Sequence, residues 1–84
     1  MYNVLLKPSA VKFIQSLLSS EAERVLRALR NLEKDPRPPG CLKLTTEEGY
    51  RIRIGRYRVL YEIGDQDKTV VVYRIKHRKD VYRQ

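Results

Sequence analysis

Apolar residues recur at every second position over residues 50–63, with one change of phase at Gly55-Arg56, and a second run of the same kind opens at Val70. A period of two belongs to a strand with one face buried and the other wet. In the first run the polar positions include Arg51, Arg53 and Arg58, and no acidic residue occurs from Tyr50 through Tyr61. The second run and its continuation add Arg74, Lys76, Arg78 and Lys79. A guanidinium group is a rigid planar fork of donors matched to phosphate geometry. Several of them on one pleated surface predict a site for a polyanion, with RNA the leading candidate.

The remaining elements can be read around these strands. Residues 2–6 are short, apolar and β-prone, and Lys7-Pro8-Ser9 stops them. Ser9 is the expected N-cap of a helix in which Val11, Phe13, Ile14, Leu17 and Leu18 recur at helical spacing. Ser19-Ser20 breaks it, and Ser20 with Glu23 forms a capping-box pattern ahead of a second helix lined by Ala22, Val25, Leu26, Leu29 and Leu32. Residues 35–40 contain three prolines and a terminal glycine, which predict a loop. A strand start is expected at 42–45, a turn at 46–49, a tight reversal at Gly55-Arg56, a turn at 64–67 and a last strand over 69–75, followed by a polar tail with room for one helical turn. The expected fold is α+β: a small single domain over residues 1–84, ordered β-α-α-β-β-β, with an antiparallel sheet covered on one face by a helical hairpin.

Composition narrows the partners. The 84 residues carry 18 basic and 10 acidic side chains, a net charge of +8. Such an excess favours nucleic acid, an acidic protein partner, or both. No apolar run reaches the roughly 20 residues of a membrane span, and the first residues lack the pattern of a signal peptide, so no membrane partner and a cytoplasmic location are expected. Cys41 is the only cysteine and His77 the only histidine. That excludes an internal disulfide and makes a transition-metal centre improbable, so neither a metal nor another cofactor is expected.

The element order, the run from Tyr50 to Ile63 (YRIRIGRYRVLYEI) and the ending from His77 to Arg83 (HRKDVYR) resemble the RelE toxins of bacterial and archaeal toxin–antitoxin systems, within the RelE/ParE superfamily. The likeness covers nearly the whole chain. It implies a toxin that enters the 30S ribosomal A site and cuts the mRNA there, and that a cognate RelB-like antitoxin wraps and silences. By motif position it also implies that Arg51 and Arg53 match the family's basic pair, Arg58 the arginine after the hairpin, Arg78 the late arginine and Tyr82 the terminal tyrosine.

Metal-independent cleavage uses the neighbouring 2′-hydroxyl as nucleophile and leaves a cyclic phosphate and a free 5′-hydroxyl. The phosphorane needs preorganised cations, a role expected of Arg53, Arg58 and Arg78. The family's basic pair often includes a lysine proposed as base, whereas this chain has arginine at both positions, and arginine does not deprotonate usefully near neutral pH. Tyr82 or His77 is therefore expected to carry one proton. In-line positioning of the RNA can supply several kcal/mol of the barrier by itself, part of it from the ribosome.

Lys43, Arg56, Lys76 and Lys79 are expected to contact the RNA backbone around that centre. Arg56, Arg74 and Lys79 read first as solvated or edge-protecting cations. Tyr50, Tyr57, Tyr61 and Tyr73 read first as core or core-edge residues, with base stacking the minority role. Two alternatives share the fold: a ParE-like toxin that acts on DNA gyrase, and a catalytically inactive homologue that only grips RNA.

Overall fold

A computed structural model describes residues 1–77. Along the chain run β1 (Asn3–Leu6), α1 (Pro8–Gln15), α2 (Ser19–Lys34), β2 (Leu42–Lys43), β3 (Tyr50–Ile54), β4 (Tyr57–Gly64) and β5 (Thr69–His77). The five strands form one sheet in the order β1-β5-β4-β3-β2. Strands β2 to β5 pair antiparallel, as hairpins with short connections do, while β1 adds to the far side of β5 in parallel. The order β-α-α-β-β-β is thus present, with the short β2 as an extra edge strand. Both helices lie between β1 and the rest of the sheet in sequence, which is the kind of long crossover that parallel pairing requires.

The helices cover one face. Ala10 and Ile14 of α1 and Val25, Leu29 and Leu32 of α2 form a single buried cluster with Ile52, Tyr57, Val59, Tyr61, Val70, Val72 and Ile75. In α2 the buried positions recur at spacings of four and three, the signature of one apolar stripe on a helix. Tyr61 is fully buried, and its hydroxyl donates to the Pro36 carbonyl at 2.7 Å, which fixes the proline loop against the sheet. Arg37 in that loop pairs with Asp65 at 3.0 Å and lies over the Tyr50 ring, 5.1 Å from its centroid.

Both helix starts differ from expectation. Lys7 is the N-cap of α1, without a side-chain cap bond, and Pro8 begins the helix, where its missing N–H costs nothing. Ser9 instead donates to the Tyr73 carbonyl at 3.1 Å, so its hydroxyl joins helix to sheet. Helix α2 begins at Ser19 with Leu18 as N-cap, so the Ser20–Glu23 capping box does not form. The last strand runs two residues beyond the expected end, to His77. Among the described residues no helix is long and apolar enough to cross a membrane.

Candidate nucleic-acid interface on the sheet face opposite the helices

Strand register decides which side chains share a face. Tyr50, Ile52, Val59, Tyr61, Val70, Val72 and Ile75 point toward the helices, so the residues alternating with them point away. Arg53 of β3 is the register partner of Arg58 of β4, and Arg58 is the partner of Lys76 of β5. Three cations therefore stand in one row across three strands. With neighbouring strands about 4.8 Å apart, the row spans roughly 10 Å. The next row, about 7 Å along the strands, runs Arg51, Leu60, Arg74. Arg53 and Arg74 are exposed, and Arg51, Arg58 and Lys76 are half-buried. Beyond the second row the face turns acidic at Glu62, the partner of Val71.

Like charges directly opposite each other weaken a sheet by up to about 1 kcal/mol per pair. An anion laid across such a row meets all three cations at once. The planar forks of Arg53 and Arg58, with the ammonium of Lys76 beside them, suit the non-bridging oxygens of a phosphate.

A bulge completes this arrangement. Leu60 pairs with Arg74 and Tyr61 with Val72, so Tyr73 is an extra residue in β5. Without it Arg74 and Lys76 would continue the inward parity of Val70 and Val72. With it they join Arg51, Arg53 and Arg58. Arg74, set aside as solvated from sequence, thus belongs to the second row. The signal was present: the apolar positions move from Val70 and Val72 to Ile75, a parity break that marks an inserted residue.

Not every expected residue reaches this face. Lys43 pairs with Tyr50 and so lies at the sheet edge with the helix-side parity. Arg56 is exposed in the turn at 55–56, lining a cavity of about 360 Å³ with Glu21, Arg24 and Tyr57. His77 pairs with Tyr57, on the helix side, and the two rings meet edge to face at 5.5 Å. Arg78, Lys79 and Tyr82 lie outside the described residues. Among the described residues no group of three or more His, Cys, Asp or Glu is placed to hold a metal ion.

Comparison with known proteins agrees with this architecture. Residues 4–82 match the model of the ParE toxin of type II toxin–antitoxin systems (parDE). The chain is 32% identical to a chain of the archaeal RelE–RelB complex from Pyrococcus horikoshii, with a TM-score of 0.82 over 92% of this chain and 94% of that one. It is 30% identical to a chain of the RelBE2 toxin–antitoxin complex of Mycobacterium tuberculosis, with a TM-score of 0.80 over 92% of this chain and 98% of that one. A stretch of 35 residues is 49% identical to toxin RelG of Mycobacterium tuberculosis, spanning 42% of this chain and 40% of that protein. The chain belongs to the ParE toxin family and is a type II toxin of the RelE/ParE superfamily with a RelE-like fold.

Proposed function

We propose that this toxin is a ribosome-dependent endoribonuclease that cuts mRNA in the 30S A site by attack of a 2′-hydroxyl on the adjacent phosphate. The observation that carries this reading is the row Arg53, Arg58, Lys76, backed by Arg51 and Arg74, on the face of the sheet opposite the helices. Arg53 and Arg58 neutralise the phosphorane as it gains charge, and loss of one such donor costs on the order of 100-fold or more in rate. Arg51, Arg74 and Lys76 hold the strand in register, and Arg78 joins the cations by its place in the family motif.

The reading gives proton transfer to Tyr82. His77, the other carrier expected from sequence, packs against Tyr57 with the parity of the opposite face. No step requires a metal: the nucleophile is part of the substrate, and the cations supply the charge. Lys43, Arg56 and Lys79 contact RNA or ribosome at the periphery.

A RelB-like antitoxin is the natural second partner, since a matched chain comes from a RelE–RelB complex. A net charge of +8 suits an acidic, partly disordered chain that folds on binding and is steered to its target. Both functions take place in the cytoplasm.

The test is induction of the toxin without its antitoxin, followed by mapping of messenger 5′ ends. Cuts inside codons of translated messages are the expected result. A second reading draws on the family description itself, which is that of ParE. Inhibition of gyrase supercoiling with uncut messages would establish that reading instead.

A further inference from the structure

The bulge that turns Arg74 and Lys76 outward also lays an aromatic ring on the cationic face. Tyr73 is the residue left unpaired between Leu60↔Arg74 and Tyr61↔Val72, and bulges of this kind re-aim side chains. Its hydroxyl donates to the Glu48 carbonyl at 3.2 Å. Glu48 lies in the loop that leads into β3, and β3 is two strands away from β5, roughly 10 Å. To reach that loop the side chain must lie across β4, between the outward positions of Leu60 and Glu62. The backbone is fixed as well, since the Tyr73 carbonyl accepts from the Ser9 hydroxyl at 3.1 Å. Tyr2, Tyr50, Tyr57 and Tyr61 all belong to the helix-side core, whereas Tyr73 does not and is half-buried. The ring therefore lies over the sheet on the side away from the helices, half-buried among the described residues.

From this geometry we infer that Tyr73 is a stacking platform for one nucleobase of the bound RNA, adjacent to the Arg51–Leu60–Arg74 row. The inference rests on the reading that this face binds RNA. Its chemistry is simple. With rows about 7 Å apart, one phosphate lies on Arg53, Arg58 and Lys76, the next lies by Arg51 and Arg74, and the attached base turns down onto the ring. Burial, then the carboxylates of Glu47 and Glu62, raise the phenol above its ordinary value, so the ring stays neutral while RNA is bound.

The experiment uses 2′-O-methyl RNA hexamers, which cannot be cleaved by this route. At each position in turn they carry either 2-aminopurine or an abasic site. At low salt the parent protein is expected to bind the base-containing hexamer about 10-fold or more tighter than the abasic one at a single position, with quenching of 2-aminopurine there. Tyr73→Phe keeps both effects, because the ring remains. Tyr73→Leu abolishes the discrimination and the quenching while retaining the steep salt dependence that comes from phosphate contacts. The chain has no tryptophan, so Tyr73→Trp gives a second reading: its single emission band is quenched by the base-containing hexamer and not by the abasic one. A parent that binds all hexamers without regard to the missing base, or a Tyr73→Leu protein that still discriminates, overturns the platform and leaves the RNA-binding reading standing. Failure of the parent to bind any hexamer at low salt overturns both.

Discussion

Replacement of Arg53 by glutamine should make the protein more stable and less active at once. Arg53 stands directly opposite Arg58 in the β3–β4 register, and its side chain is exposed. Directly opposed side chains place their Cβ atoms about 4.5–5.5 Å apart, and a like-charged pair there costs roughly 0.2–1 kcal/mol. Arg53→Gln removes that repulsion and leaves the strand otherwise intact. For a domain of this size the gain corresponds to a rise in Tm of about 1–8 °C. Screening provides the control: the Debye length falls from about 30 Å at 0.01 M salt to about 3 Å at 1 M, so the gain should be largest in dilute buffer and nearly absent in concentrated salt. The same change should slow single-turnover mRNA cleavage on ribosomes on the order of 100-fold, the effect of removing one charge-stabilising donor. Thermal unfolding of parent and Arg53→Gln at the two salt concentrations, with the cleavage assay beside it, decides the matter. A melting point that falls at low salt, or a gain that persists unchanged at 1 M, would refute the expectation that Arg53 and Arg58 repel across this pair.

Three further outcomes follow from packing and charge. Tyr61→Phe leaves the Pro36 carbonyl without its buried 2.7 Å donor and should cost about 1–3 kcal/mol in urea unfolding, with the proline loop the first region to lose amide protection. Gly49 has φ of 109° and faces the Tyr61 carbonyl where a Cβ would stand, so Gly49→Ala should destabilise by on the order of 2–3 kcal/mol or more by the same assay. The hydrogen bonds from Arg37 and then from Tyr2 hold the Asp65 carboxyl below its ordinary value of 3.8. Because the folded-state value is depressed, the stabilisation is present above about pH 4 and is lost as pH falls through the lowered value, so the difference in Tm between parent and Asp65→Asn should be small at pH 7 and vanish in acid.

The parts of this molecule that were legible in the sequence are those fixed by short periods. Alternation from Tyr50 to Ile63 identifies the β3–β4 hairpin and the shared face of Arg51, Arg53 and Arg58, because a one-residue slip would exchange the buried and wet faces. The apolar stripes of the two helices are equally local. The helix starts were misplaced because a capping pattern records only what a serine can do. Ser9 has a competing acceptor in the Tyr73 carbonyl, from a strand 64 residues away in sequence. The parallel pairing of β1 with β5 depends on the crossover geometry of two helices, which no local pattern encodes. The bulge at Tyr73 was visible only as a parity break. Missing it hid both the place of Arg74 in the cation array and the ring that lies across β4. Lys43 was grouped with the arginines by charge, whereas its pairing with Tyr50 turns it to the other face.

The most direct test is end-group analysis of mRNA from a purified translating ribosome treated with the parent protein and with the triple variant Arg53→Gln/Arg58→Gln/Lys76→Gln. The parent should release fragments cut within the A-site codon that carry a 2′,3′-cyclic phosphate and a 5′-hydroxyl, and the triple variant should release none. Intact message with the parent, or undiminished cleavage by the variant, would contradict the claim that this row holds the scissile phosphate and stabilises its charge.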